Sequence, residues 1–148
     1  MAKRILVPLD REERGEAIVD LVAALARQSG ATVRLLHVGP LPQTRMDAYG
    51  RVIAYQSQDM ERIDGLGRTY LRGVAATRLD GVPVELAVRF GEPAEEILAE
   101  AEVFGADLIA VSGGKPRWWR LGRLKGIAAR LLRRATAPVM LVAAEARS

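Results

Sequence analysis

Residues 4–9, Arg4-Ile5-Leu6-Val7-Pro8-Leu9, form a short, nearly continuous apolar run that ends in a breaker and then an acid, Asp10. A strand covered on both faces reads this way, because neither face has to meet water. The period then changes. Over 14–29, Ile18, Leu21, Val22 and Leu25 fall at i, i+3, i+4 and i+7, one stripe of a helix that Ser29-Gly30 stops. Thr32 to Val38 (TVRLLHV) is β-rich and reads as the second strand.

The same alternation carries on along the chain. Gly39-Pro40-Leu41-Pro42 is a loop. A helical stripe then runs from about Asp47 to Arg78 through Tyr49, Val52, Ile53, Met60, Ile63, Tyr70, Leu71 and Val74. Gly65, Gly67 and Gly73 each weaken that helix by ~1 kcal/mol relative to Ala, so a kink or break is expected. After the Asp80-Gly81 turn, Pro83 to Arg89 (PVELAVR) alternates like a strand with one wetter face. Pro93 suits the first turn of a helix striped by Ala94, Ile97, Leu98, Ala101 and Phe104, and Gly105 ends it. Leu108 to Val111 is a buried-strand run, and 112–123 reads as a loop. Leu124, Ile127, Ala128, Leu131, Leu132 and Ala135 make the last helical stripe, and Val139 to Val142 the last strand. The order β-α-β-α-β-α-β-α-β predicts the α/β class, an open parallel five-stranded sheet with helices on both faces.

The 148 residues fit one domain, 1–148, large enough to bury a core without staples. No cysteine is present, which excludes disulfides, thiolate metal sites and cysteine nucleophiles, and fits a reducing compartment. The apolar part of MAKRILVPLD is far too short for a signal peptide, and no run reaches the ~18 residues of a membrane span. A cytoplasmic protein with no transmembrane segment is expected. The net charge of +4 is unevenly spread, since 115–148 hold nine Lys/Arg and a single acid, Glu145. Such asymmetry speaks of anionic partners, not of fold.

In an open α/β sheet ordered 3-2-1-4-5, ligands bind beyond the carboxyl ends of strands one and four, where strand order reverses. That point brings together Pro8-Leu9-Asp10 and Ser112-Gly113-Gly114. Asp10 suits hydrogen bonds from ribose hydroxyls or an adenine amino group, and equally a solvated turn. Gly113-Gly114 suits a backbone approach to phosphate, and equally a plain turn. Lys115 and Arg117 add positive charge there. Gly114-Lys115 is followed by Pro116, which excludes a Walker A loop, and no G-x-G-x-x-G follows the first strand. His37 is the only histidine and lies in an apolar strand, so a structural role is expected for it. A metal site or a histidine-dependent triad lacks partners. Glu12-Glu13 and Glu95-Glu96 read as loop and helix-start charges, so no enzyme constellation is found and no catalytic residue is named.

ILVPLD near the N-terminus, LLHV in strand two, GEPAEEIL at the third helix, DLIAVSGG at strand four and APVMLV near the end occur in order over essentially the whole chain. Together they resemble the universal stress protein family. The resemblance implies a Rossmann-like fold of the adenine-nucleotide-binding kind. It also implies a homodimer, often formed by pairing the last strands edge to edge, here Val139, Met140, Leu141 and Val142. Such pairing removes an open edge.

Members of that family that bind ATP carry Gly, two residues, Gly, nine residues, then Gly followed by Ser or Thr after strand four. With Val111 and Pro138-Val139 fixing the register, these places hold Ser112, Lys115, Lys125 and Gly126, none of them the family's residue type. A side chain where Gly lets backbone approach phosphate tends to block it. Two rescues are open: a shifted register using Gly113-Gly114 and Gly126, or Lys115 and Lys125 holding phosphate as point charges. The chain therefore looks closer to the subgroup that lacks the signature. The reading is a dimeric regulatory or binding module and not an enzyme. Any nucleotide, ATP with Mg²⁺, would lie against Pro8, Leu9, Asp10, Val38 and the loop from Ser112 to Gly126. The alternative is an ATP-binding member with slow hydrolysis or a nucleotide switch, with Asp10 as the candidate Mg²⁺ ligand.

Between Lys115 and Arg134 stand eight Lys/Arg, no acid, and Trp118 and Trp119. Lys115, Arg117, Trp118, Trp119, Arg120 and Arg123 suit a nucleic acid or anionic lipid surface, where indoles stack or sit at headgroups. They equally suit the solvated side of the last helix, with Arg130, Arg133 and Arg134 near its negative end.

Overall fold

The computed structural model describes residues 2–10, 16–112 and 127–142. Five strands form one parallel sheet: β1 (Arg4–Pro8), β2 (Thr32–Gly39), β5 (Val84–Phe90), β6 (Leu108–Ser112) and β7 (Val139–Val142). Their spatial order is β5-β2-β1-β6-β7, the expected 3-2-1-4-5. β1 lies at the centre, in register with β2 (Arg4 opposite Thr32, Pro8 opposite Leu36) and with β6 (Ile5 opposite Leu108). Ile5, Leu6 and Val7 are fully buried, which is why the run that opens the chain has no polar face.

The helices divide between the two faces. α1 (Glu16–Ser29) and α2 (Gln56–Arg78) cover one, where Ile18, Val22, Leu71 and Val74 pack on Ile5, Val7, Val33 and Leu35. α3 (Pro93–Phe104) and α4 (Ile127–Arg134) cover the other, where Ile97, Phe104 and Leu131 pack on Leu6, Leu36 and Ile109. Each such aliphatic side chain contributes about 1.5–3 kcal/mol when fully buried.

Between α1 and α2, three features differ from the sequence expectation. The α1 stripe is rotated: Ile18, Val19, Val22, Ala23 and Ala26 are buried, while Leu21 is 40% exposed. Leu25, half-buried, packs at the margin of the same cluster. Second, α2 starts at Gln56, not near Asp47. Residues 45–54 instead make a two-stranded antiparallel piece, β3 (Arg45–Met46) and β4 (Val52–Ala54). Its turn is closed by Asp47, whose Oδ1 accepts from the backbone N of Tyr49 and Arg51, both at 2.9 Å, with Gly50 at φ 79°. A short carboxylate that satisfies nearby backbone donors competes directly with a helix. Third, α2 runs unbroken through Gly65, Gly67 and Gly73. The closeness of Gly67 to the sheet explains its own glycine, as shown below.

α4 keeps its expected stripe only in part. Ala128 and Leu131 are buried, Ala135 is half-buried, and Ile127 and Leu132 are exposed at 40% and 56%. Leu124 lies outside the described residues. No helix among the described residues is long and apolar enough to cross a membrane.

Candidate functional site

Both crossovers that leave β1 toward β2 and β5 run over one face, and both that serve β6 and β7 run over the other. Strand order therefore reverses between β1 and β6, and the carboxyl ends of these strands diverge there. Continuing the β1–β6 register (Leu6 opposite Ile109) puts Leu9 level with Ser112. Continuing the β1–β2 register (Pro8 opposite Leu36) puts Asp10 level with Val38. The expected group of Pro8, Leu9, Asp10, Val38 and Ser112 is thus gathered on one rim. Gly113, Gly114, Lys115, Lys125 and Gly126 lie outside the described residues, as do Arg117, Trp118, Trp119, Arg120 and Arg123.

The rim is fixed from below. Leu9 is buried, its N donates to the Leu36 carbonyl at 2.8 Å, and its own carbonyl accepts from His37 Nδ1 at 3.3 Å. The His37 ring lies against Gly67 of α2: a Cβ there would stand 2.9 Å from His37 Cδ2. His37 is thus a packing residue that anchors the chain just before Asp10. Asp10 itself is exposed at the rim. Ser112 ends β6 in extended backbone, and no described residue other than glycine has positive φ.

GEPAEEIL owes its residue types to this rim. Gly91, at φ 138°, donates its N to the Gly39 carbonyl and turns the chain out of β5. Glu92 caps α3 by accepting from the N of Glu95 at 2.8 Å, with Pro93 in the first turn. Arg130 of α4 bonds Glu92 Oε1 at 2.7 Å, so the start of α3 and the helix after the loop are tied together. Glu95 and Glu96 are both helix-start charges, as expected, and both are paired, Glu95 with Arg130 at 3.6 Å and Glu96 with Arg89 at 2.9 Å.

Sequence reading missed a half-buried charge network between α3 and the sheet. Glu100, 5% exposed, accepts from Arg34 of β2 and from Arg89 of β5, the latter at 2.9 Å. Arg34 also holds Glu85 at 2.6 Å and lies 4.2 Å over the Phe104 ring. Burial pushes the Glu100 carboxyl up, but hydrogen bonds and charge from Arg89 and Arg34 outweigh it and hold the group below the usual carboxylate range. An acid one residue off the apolar stripe of α3, and an arginine inside β2, were the available signals. The network is ion-paired throughout and has no free acid–base pair for chemistry. Among the described residues no cluster of His, Cys, Asp or Glu is arranged to hold a metal.

The model of the universal stress protein family matches residues 1–143. The chain belongs to the universal stress protein family. A universal stress protein family member from Burkholderia pseudomallei is 26% identical, with TM-score 0.70 and 96% of each chain covered. A universal stress protein in complex with cAMP is 19% identical, with TM-score 0.66 and 96% of this chain and 97% of that one covered. One from Archaeoglobus fulgidus in complex with dAMP is 21% identical, with TM-score 0.63 and coverage of 95% and 97%. These last two likenesses show the universal stress protein fold. A search of curated proteins returned no match.

Proposed function

We propose that this universal stress protein is a single-domain, dimeric regulatory module of the cytoplasm that works by binding and not by catalysis, and does so without the usual ATP mode of its family. The observation that carries the reading is the end of β6, where Ser112 holds strand backbone at the place of the first signature glycine. The base and ribose side of a nucleotide site has fitting residues in Asp10 and Val38. The phosphate side does not fit: Ser112, Lys115, Lys125 and Gly126 stand where Gly, Gly, Gly and Ser or Thr would be. In the sequence, three of these places carry a side chain where a phosphate asks for bare backbone.

Dimerisation is supported by β7, which among the described residues pairs with β6 alone and has no strand on its other side. Such an edge is normally blunted or covered. The absence of cysteine supports a reducing compartment.

Calorimetry of nucleotide-free protein with ATP, with and without Mg²⁺, tests the reading. No heat of binding up to millimolar ATP is expected. Micromolar affinity would overturn it in favour of a nucleotide switch at the same rim, with Lys115 and Lys125 in place of the glycines. That second reading draws on the exposed Asp10 beside Val38 and on the relatives that hold cAMP and dAMP. In that case Asp10→Asn should weaken the binding at least tenfold. The anion-surface reading rests on sequence, supported by the exposed Arg133 and Arg134 on α4.

A further inference from the structure

The sheet has a second open edge. β5 pairs with β2 alone, and among the described residues nothing pairs with its outer side. Val33 N donates to the Pro83 carbonyl and Gly91 N to the Gly39 carbonyl, both across the β2–β5 seam. In a parallel ladder the bonding direction alternates along a strand. Pro83, Glu85, Ala87, Arg89 and Gly91 therefore turn their backbone groups toward β2. Val84, Leu86, Val88 and Phe90 turn theirs outward.

This edge lacks three of the usual guards, and its two charges, Glu85 and Arg89, are of opposite sign. It has seven residues, no proline inside, and no bulge in its register. Its sequence, Val84-Glu85-Leu86-Ala87-Val88-Arg89-Phe90, is symmetric in type about Ala87. We propose that β5 is an interface with a second copy of this chain, pairing antiparallel to itself about a two-fold axis at Ala87. In that register Glu85 stands opposite Arg89 of the second copy, Leu86 opposite Val88, and Val84 opposite Phe90. The outward residues, all even-numbered, form the hydrogen-bonded pairs. Glu85 and Arg89 form the closer, non-hydrogen-bonded pair, where opposite charges are favourable.

The charges have capacity for this contact. Arg34 takes Oε1 of Glu85 and leaves Oε2, while Arg89 spends Nε and Nη1 on Glu96 and Glu100 and leaves Nη2. Sliding the two-fold axis to Leu86 or to Val88 keeps the ladder but separates Glu85 from Arg89. Sliding the axis to Glu85 or to Arg89 sets like charges face to face and shortens the ladder. On the α2 side, an open groove of about 450 Å³ runs beside the edge, lined by Arg72, Ala75, Ala76, Leu79, Val82 and Val84. Its small helix residues leave room for Phe90 of the second copy, which falls opposite Val84. The contact is isologous and, taken alone, closes on two copies; with β7 also paired at the far edge it links dimers in a row.

The chain has no cysteine, which makes a single-cysteine variant decisive. In the proposed register residue 87 meets its own copy in a non-hydrogen-bonded pair, with Cα atoms ~4.5 Å apart and within disulfide range. Full-length Ala87→Cys, oxidised under native conditions, should run as a covalent dimer on a non-reducing denaturing gel. Val103→Cys on the outer side of α3, at a residue 73% exposed, sets the collisional rate, and Ala87→Cys should exceed it at least tenfold. Adding Glu85→Arg faces Arg89 with a like charge and should slow the cross-link at least tenfold. Pairing through β7 is not covalent and does not score on this gel. A folded Ala87→Cys variant, by circular dichroism, that cross-links no faster than Val103→Cys would overturn the interface. Insensitivity to Glu85→Arg would overturn the register.

Discussion

A Cβ on Gly67 would stand 2.9 Å from Cδ2 of His37 and 3.3 Å from Cγ2 of Val88. Neither neighbour is the tip of a flexible chain: one is a ring bonded to the Leu9 carbonyl, the other a β-branched side chain in β5. Gly65 and Gly73 on the same helix have open space at that position. Three glycines that look alike in the sequence therefore differ in cause. Gly67→Ala should destabilise the fold by about 2 kcal/mol through overpacking against the sheet. Gly73→Ala should stabilise it by about 1 kcal/mol, because a bare helix position gains propensity and meets nothing. Paired thermal melts check this: for a chain of this size the two midpoints should move in opposite directions by several degrees.

At the scale of elements, α3 is held to the sheet by charge as well as by packing. Glu100 joins it to both β2 and β5 through Arg34 and Arg89. A carboxyl held below its ordinary value in the fold adds stability at pH above that value, and this part is lost as pH falls through the lowered one. Stability should therefore decline as pH drops below about 4.5, the ordinary value for this group. Glu100→Gln should cost about 2 kcal/mol at neutral pH, since it removes the buried charge that Arg34 and Arg89 share and leaves them only Glu85 and Glu96, and should flatten the acid limb. Denaturant titrations of both proteins between pH 3 and pH 7, the range spanning that ordinary value, read both effects; an unchanged acid limb would assign the pH response to other carboxylates. The sheet strands were legible because parallel strands covered on both faces become unbroken apolar runs. The β3–β4 hairpin was not. Tyr49, Val52 and Ile53 mimic a helical stripe, and the deciding bonds to Asp47 leave no periodicity. The Glu100 network was hidden for the same reason, because its partners lie far apart in sequence.

Across the whole molecule, the position of the candidate rim was legible from strand order alone, since the switch point follows from 3-2-1-4-5. What holds the rim still, His37 against Gly67 and Glu92 with Arg130, depends on contacts between separate elements and left no motif to read. Among the described residues the same strand order leaves two open edges, and each calls for a different test. On the β7 side, Ile109 N donates to the Pro138 carbonyl. By the alternation of a parallel ladder, Val139 and Leu141 then turn their backbone groups outward, while Met140 faces β6. Proline at Val139 removes an outward donor without breaking the ladder, and the first residue of an edge strand tolerates it. Val139→Pro should therefore lower the sedimenting mass relative to the parent protein at equal concentration, to a monomer or, with β5 paired as proposed, to the dimer that β5 holds, with circular dichroism unchanged. If β5 pairs as proposed, the Ala87→Cys cross-link should survive in the Val139→Pro background, because the two edges lie at opposite ends of the sheet. A Val139→Pro protein that keeps its full mass while Ala87→Cys still cross-links would place dimerisation at β5 alone. Full mass without the cross-link would call for an interface at neither edge.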